Sequence, residues 1–92
     1  MEIRQLRYFI SVANHLSFTR AAQECFVVQT TMTHQIAALE RELGVRLFER
    51  TKRKVLLTPE GEAFLPEAKA IVFHTDESLE IMRTMSKVLN MF

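Results

Sequence analysis

The stretch SFTRAAQECFVVQTTMTHQIAALERELG, residues 17–44, decides the fold of this chain. Ser17 is a good helix N-cap, and residues 18–25 after it predict a short helix with an apolar side. A brief break follows. Residues 29–43 then place apolar side chains at helical spacing, and Gly44 is a natural terminator. The stretch therefore predicts two helices joined by a tight turn.

The second of these helices has a polar face that is rich in threonine. Its apolar stripe is Met32, Ile36, Leu39 and Leu43, and its opposite face offers Gln29, Thr30, Thr31, Thr33, His34 and Gln35. Threonine has a low helix propensity, so three of them in four positions indicate a purpose beyond local stability. Short hydrogen-bonding groups at a helix start can reach base edges and phosphates, and an ordinary solvated face is the alternative.

Beyond this helix, the segment LFERTKRKVLL, residues 47–57, concentrates positive charge. It places four cations in five positions, namely Arg50, Lys52, Arg53 and Lys54. The segments VRLFER and KVLLT on either side of residues 51–54 favour β-strands, so a hairpin is predicted. No Asn-Gly or Asp-Gly pair marks its turn, and the turn type stays open. A solvated loop is one explanation of the charges, and a finger that touches a polyanion is the other.

The N-terminal segment, residues 2–16, predicts a further helix. Its apolar face is Leu6, Phe9, Ile10 and Ala13. The first nine residues carry charges where a secretory signal needs apolar side chains, so we expect a cytoplasmic location. No apolar run is long enough to predict a membrane-spanning helix.

After the hairpin, Thr58 and Pro59 begin a long predicted helix, with a bend expected at Pro66. Its apolar seam recurs at spacings of four and three residues: Gly61, Leu65, Ala68, Val72, Thr75, Leu79, Met82, Ser86 and Leu89. The helix would span about 45 Å, more than so small a core can cover. We therefore expect it to pair with a second copy, and the predicted dimerisation residues are Leu65, Ala68, Val72, Leu79, Met82 and Leu89.

Charge divides the chain at the start of this long helix. The net charge is only +1. Residues 1–58 nevertheless hold nine Lys or Arg against five Asp or Glu, whereas residues 59–92 hold three against six. A basic front and an acidic back is typical of a chain that meets a polyanion with its front, although the imbalance is too modest to name the partner.

Together these elements predict a mostly α fold, a winged helix-turn-helix with a three-helix core and a two-stranded wing over residues 1–58. A long linker and dimerisation helix follows over residues 59–92. In such a fold the helix at residues 29–42 would enter the major groove of DNA. The wing at residues 47–57 would lie on the backbone or in the minor groove. The predicted function is sequence-specific binding of double-stranded DNA.

The motifs SFTRAA, LERELGVRLFERT and LTPEGE are specific together. Over residues 2–70 the chain closely resembles the DNA-binding domain of LysR-type transcriptional regulators. The resemblance implies a homodimeric, nucleoid-associated regulator of transcription that is held by the long helix and binds two-fold-related half-sites. It also implies a C-terminal domain that binds a small-molecule effector and that this chain lacks.

Position by position, the resemblance assigns Gln29 and Thr30 to base reading. It assigns Thr33 and Gln35 to backbone contact or support of the helix. The full predicted DNA-binding set, wing included, is Gln29, Thr30, Thr31, Thr33, His34, Arg50, Thr51, Lys52, Arg53 and Lys54. We expect no metal and no cofactor.

Four residues depart from the family pattern, and one of them is Thr30, which stands where proline or serine is usual near the helix start. Val28 replaces the serine that usually caps the recognition helix, and loss of such a cap typically costs about 1 kcal/mol. Phe26 occupies a turn position where Asn or His is usual, residue types that tolerate left-handed backbone angles better. His34 stands where arginine is frequent, which would make that contact mildly pH-dependent.

Two other classes of function fit the sequence less well. A winged-helix protein-interaction module without base reading would use Phe26 and Val28 as an exposed apolar spot. An enzyme is not expected, because His15, His34 and His74 lie on separate predicted helices and no glycine-rich phosphate loop is present. We accordingly expect no catalytic residue and no membrane partner.

Overall fold

The structure, a computed structural model, describes residues 1–91. In chain order its elements are α1 (Ile3–His15), α2 (Phe18–Glu24), α3 (Gln29–Leu43), β1 (Phe48–Arg50), β2 (Val55–Leu57) and α4 (Pro59–Asn90). The two strands pair antiparallel, with Phe48 opposite Leu57. The predicted order of three helices, a hairpin and a long final helix is confirmed.

Four phenylalanines join the elements that surround α1. The ring of Phe9 on α1 lies between those of Phe48 and Phe64, with centroids 5.4 Å from each. Phe18 of α2 meets the Phe48 ring edge-on at 5.7 Å. Tilted and edge-on pairs stabilise a core by roughly 0.5–1.5 kcal/mol each beyond the burial of area. The cluster therefore fixes α2 and the wing against α1 and α4.

The turn between α2 and α3 is closed by backbone hydrogen bonds. The Val27 N–H donates to the Ala22 carbonyl at 3.0 Å, and the Phe26 N–H donates to the Gln23 carbonyl at 3.3 Å. Phe26 has φ 58°, in the left-handed region that an aromatic residue rarely adopts. Its side chain is 94% exposed. The left-handed angle expected at this turn position is thus present, and it is carried by a phenylalanine.

Glu40 connects the end of α3 to the wing. Its buried carboxylate accepts hydrogen bonds from the N–H groups of Leu47, at 2.7 Å, and Phe48, at 3.4 Å. The Arg46 guanidinium lies 3.5 Å from the same oxygen. The Val45 N–H bonds back to the Glu40 carbonyl at 3.2 Å, so the chain leaves α3 as a loop. As a result β1 begins at Phe48 and is shorter than the predicted segment from Val45.

Thr51 orders the tip of the wing. Its N–H donates to the Lys54 carbonyl at 2.9 Å. Its hydroxyl oxygen accepts from the N–H groups of Arg53, at 3.3 Å, and Lys54, at 3.1 Å. A threonine side chain can satisfy turn amides in this local way. The cations of the hairpin are therefore carried on a closed tip.

Thr58 caps α4, as its sequence position predicts. The hydroxyl accepts from the Gly61 N–H at 2.9 Å and donates to the Arg46 carbonyl at 2.6 Å. From there α4 continues through Pro66 to Asn90, and the bend expected at Pro66 stays a prediction.

An ion pair joins α1 to α4: the Arg7 guanidinium lies 2.6 Å from the Asp76 carboxylate. Its hydrogen bond holds the pKa of the Asp76 carboxyl below the usual value.

Candidate nucleic-acid interface

The start of α3 presents polar side chains to solvent. Gln29, Thr30 and His34 are exposed, whereas Thr31 and Thr33 are half-buried. All five lie within the first two turns of the helix. The groups predicted to contact DNA are thus gathered at the N-terminal end of α3.

Gln35 belongs to the same helix but faces the protein. Its side-chain oxygen accepts a hydrogen bond from the Gln5 amide nitrogen at 3.2 Å. Gln5 is buried on α1. Of the two roles that the resemblance implied for Gln35, its contact is the one that supports the helix, because it ties α3 to α1.

A residue of α2 holds Gln29 in place. The Thr19 hydroxyl donates to the Gln29 Oε1 atom at 2.9 Å. A carboxamide with its oxygen engaged still has two N–H donors. No acceptor within residues 1–91 takes them. The two N–H donors of Gln29 are therefore free for acceptors beyond the described residues, and the N7, O6 and O4 atoms of base edges are acceptors of this kind.

An open groove separates the start of α3 from the wing. It is lined by Ser17 and Thr19, by Gln29 and Thr33 of α3, and by wing residues 50–54. The groove thus brings part of the predicted recognition helix and the whole predicted wing set to one side of the molecule. The predicted residues outside its lining are Thr30, Thr31 and His34.

Arg50 is positioned by an aromatic ring. Its guanidinium carbon lies 3.9 Å from the centroid of the Phe18 ring, which is itself buried in the core. A guanidinium over a ring face is attracted by about 0.5–2 kcal/mol, and its N–H donors stay available. Arg50 is therefore held at the edge of the groove by a contact within the chain.

The other cations of the wing are exposed and form no ion pair within the described residues. Lys52, Arg53 and Lys54 are all solvent-exposed. Within residues 1–91, neither they nor Arg50 form an ion pair with a carboxylate. Unpaired cations on a protruding hairpin produce the positive potential that a phosphate backbone neutralises.

Sequence reasoning predicted Phe18 only as a packing residue, and it missed the roles of Phe18, Thr19 and Glu40 at this site. The partners of Thr19 and Phe18 lie on other elements, and no spacing rule pairs them. Glu40 did leave a signal, because it directly follows the buried Leu39 within the apolar pattern of α3. A carboxylate next to a core position indicates a buried partner, here the backbone N–H groups that lead into the wing.

Val28 is the N-cap of α3 and provides no side-chain cap. Its backbone is extended, and among residues 1–91 no side chain accepts from the first-turn amides. We expect Val28→Ser to raise the free energy of unfolding by about 0.5–1 kcal/mol, because a serine oxygen can accept one of these N–H groups. Urea unfolding of parent and variant measures the change. Equal or lower stability of the variant would contradict the expectation.

The six predicted dimerisation residues divide into two groups. Ala68 is fully buried in the chain's own core, and Leu65 and Val72 are half-buried against it. Ala68 is therefore not available to a second copy, because α1 already covers this part of α4. Leu79, Met82 and Leu89 continue the stripe and are exposed. From Glu77 to Met91 every side chain is exposed.

No group of three or more His, Cys, Asp or Glu within residues 1–91 could hold a metal ion. His15 pairs with Glu24, and this bond together with the one from Ser11 holds the pKa of Glu24 below its usual value. None of the helices over residues 1–91 combines the length and apolar character needed to cross a bilayer.

Comparison of sequences identifies the relatives of the chain. The HTH-type transcriptional regulator TfdT of Cupriavidus pinatubonensis is 50% identical over 72 residues, which are 78% of this chain and 32% of TfdT. The glycine cleavage system transcriptional activator of Escherichia coli K12 is 43% identical over 84 residues, 91% of this chain and 28% of that protein. The chain thus spans about a third or less of the length of these relatives.

Comparison of structures also identifies bacterial regulators as relatives. The DNA-binding domain of BenM, solved with catB site 1 DNA, matches at a TM-score of 0.89 and 38% identity, covering 94% of this chain and 96% of that one. The DNA-binding domain of CbnR, also solved with DNA, matches at a TM-score of 0.88 and 42% identity, covering 94% of this chain and 99% of that one.

The predicted winged helix-turn-helix fold is confirmed. A family model for bacterial regulatory helix-turn-helix proteins of the lysR family matches residues 3–62, more than half of the chain. The chain therefore belongs to the lysR family of bacterial regulatory helix-turn-helix proteins.

Proposed function

We propose that the chain binds double-stranded DNA with sequence specificity, with α3 in the major groove and the wing on the neighbouring backbone or minor groove. The observation that carries the proposal is the groove between Gln29, Thr33 and wing residues 50–54, which combines hydrogen-bonding groups with unpaired cations. The cations neutralise phosphates and release counterions, while the start of α3 reads base edges. The similar domains of BenM and CbnR were solved with DNA, which supports this docking.

We infer that two copies pair through α4. Leu79, Met82 and Leu89 repeat at spacings of three and seven residues and stay in water in the single chain. A second helix of the same kind would bury this stripe in the manner of a coiled coil. A two-fold dimer presents two α3 helices, so its DNA site has two-fold-related half-sites.

The biological role we propose is regulation of transcription. TfdT and the glycine cleavage activator are named transcriptional regulators and are roughly three times as long as the matched region. A small-molecule effector would act through the part of such a protein that lies outside the matched region. Binding to DNA would place the protein on the nucleoid in the cytoplasm. We propose no catalytic role and no cofactor.

Two substitutions separate phosphate contact from base reading. We expect Arg53→Ala to weaken binding to all duplexes by a similar factor and to reduce the slope of log affinity against log salt by about 0.9, since one phosphate contact is lost. We expect Gln29→Ala to leave that slope unchanged and to relax preference at its base pair by about 1–3 kcal/mol. The site is first selected from a random-duplex pool, and affinities for its single-base variants are then measured at two salt concentrations.

Lys87→Ala is the matched control for the loss of one cation, because Lys87 is exposed near the far end of α4. It should leave affinity and salt slope at the parent values. Equal loss of every sequence in both the Arg53 and the Gln29 variants would contradict the division between the wing and α3. No affinity for any duplex at low salt would overturn the proposed function.

A second candidate, a protein-interaction module, is favoured by the exposure of Phe26 and Val28, which lie on either side of Val27 between α2 and α3. It predicts a stable complex with a partner protein together with no affinity for DNA. The same binding experiment at low salt distinguishes the two candidates.

A further inference from the structure

We propose that Val28 is a specificity-determining residue that contacts the C5-methyl group of a thymine in the major groove. The inference deepens the proposed function and rests on it. Val28 stands where α3 begins, since its carbonyl accepts the Met32 N–H at 3.2 Å. Its side chain is 68% exposed and makes no hydrogen bond.

Packing within the chain does not account for a valine at this position. Val27, its neighbour, packs against the hydrophobic core, whereas Val28 lies outside that core. Isolated exposed apolar residues are ordinary, so exposure alone decides nothing. The position is what matters. A polar residue at an N-cap satisfies first-turn amides, and a β-branched apolar one does not.

The side chain is located where DNA would be read. Gln29 and Thr30, the next two residues, are exposed and are the ones proposed to contact base edges. Consecutive Cα atoms are about 3.8 Å apart, close to the rise of about 3.4 Å between stacked base pairs. In helix-turn-helix docking the N-terminal residues of the recognition helix are those that reach the bases. When Gln29 meets one base pair, Val28 is therefore within reach of that pair or its neighbour.

The chemistry of the groove selects the partner of this side chain. Base edges in the major groove present donors and acceptors, and their one apolar projection is the thymine C5-methyl group. Valine has neither donor nor acceptor, so against any polar edge it would remove water without replacing the lost hydrogen bonds. Against a thymine methyl it buries apolar surface on both sides. Val28 thus favours thymine by contact and disfavours the other bases by desolvation.

Deoxyuridine tests the contact because it lacks only the C5-methyl group. Each thymine of the selected site is replaced in turn by deoxyuridine, and dissociation constants are measured for the parent chain and for Val28→Ser. We expect one thymine per half-site at which the replacement weakens parent binding roughly fourfold, as for the burial of one methyl group. Val28→Ser should bind both versions of that duplex equally. Val28→Thr keeps one methyl group and should retain part of the discrimination.

Val45→Ser is the matched control, because Val45 is also an exposed valine but lies beyond the C-terminal end of α3. It should discriminate between thymine and deoxyuridine as the parent does. Selective DNA binding in which no thymine loses its effect in Val28→Ser overturns the methyl contact and leaves the proposed function intact. A selected half-site without thymine does the same. Absence of binding to every duplex overturns both.

Discussion

Replacing Gly61 by alanine is expected to lower the free energy of unfolding by about 2–3 kcal/mol, although alanine is the better helix former. A Cβ atom at this position would lie 2.2 Å from the Leu47 carbonyl oxygen and 2.9 Å from the Leu57 Cδ2 atom. The carbonyl cannot easily move away, because it accepts the Thr58 N–H at 3.0 Å. The gain in helix propensity is at most about 1 kcal/mol. The clash with the Leu47 carbonyl therefore outweighs the gain in helix propensity, and the alanine variant is the less stable chain.

Thermal and urea unfolding of the two chains measure this loss, which corresponds to a fall of roughly 10–20 °C in Tm for a domain of this size. Gly44→Ala is the matched control. Gly44 has φ 73°, and a Cβ there would meet nothing within 4 Å. Its variant isolates left-handed backbone strain and should lose only about 1 kcal/mol. A Gly61→Ala chain as stable as the parent would show that the wing and α4 can separate without loss.

The parts of the fold that the sequence predicted are those coded locally. The apolar period of α3, its end at Gly44 and the start of α4 at Thr58 all depend on residues within a few positions of one another. The N-cap of α3 is the same kind of signal, since the side chain of Val28 has no acceptor atom in any environment. These features were predicted correctly because helix periodicity and capping are short-range effects.

The parts that could not be predicted depend on contacts between elements. The bond from Thr19 to Gln29 and the stacking of Arg50 on Phe18 exist only after α2, α3 and the wing have packed together. The apolar seam of α4 shows the same limit. Ala68 and Leu79 share one stripe in the sequence, yet one is fully buried by the chain itself and the other is exposed. Periodicity identifies an apolar face and does not identify what covers it.

Glu40→Ala is expected to lower the free energy of unfolding by about 2–3 kcal/mol, because it leaves a buried backbone N–H without an acceptor. The strongest of its bonds is the one from the Leu47 N–H, at 2.7 Å, and Leu47 is fully buried. Water cannot replace the lost acceptor there without opening the junction between α3 and β1. Exposed ion pairs such as Met1 with Glu42 contribute far less, about 0–1 kcal/mol.

Two further variants separate the parts of this effect. Glu40→Gln keeps an oxygen that can accept from Leu47 and should lose about 1 kcal/mol, whereas Arg46→Ala removes only a largely exposed partner and should lose less than that. Amide hydrogen exchange gives a local measure, because the Leu47 N–H should lose protection in Glu40→Ala while amides in α1 change only with global stability. Unchanged protection of the Leu47 N–H in Glu40→Ala would contradict the assignment of Glu40 as its acceptor.

Since Glu40 is the residue of α3 that holds the start of β1, a loosened junction between α3 and β1 should also weaken DNA binding. That loss should fall on all sequences alike, because the wing would no longer be held against the recognition helix.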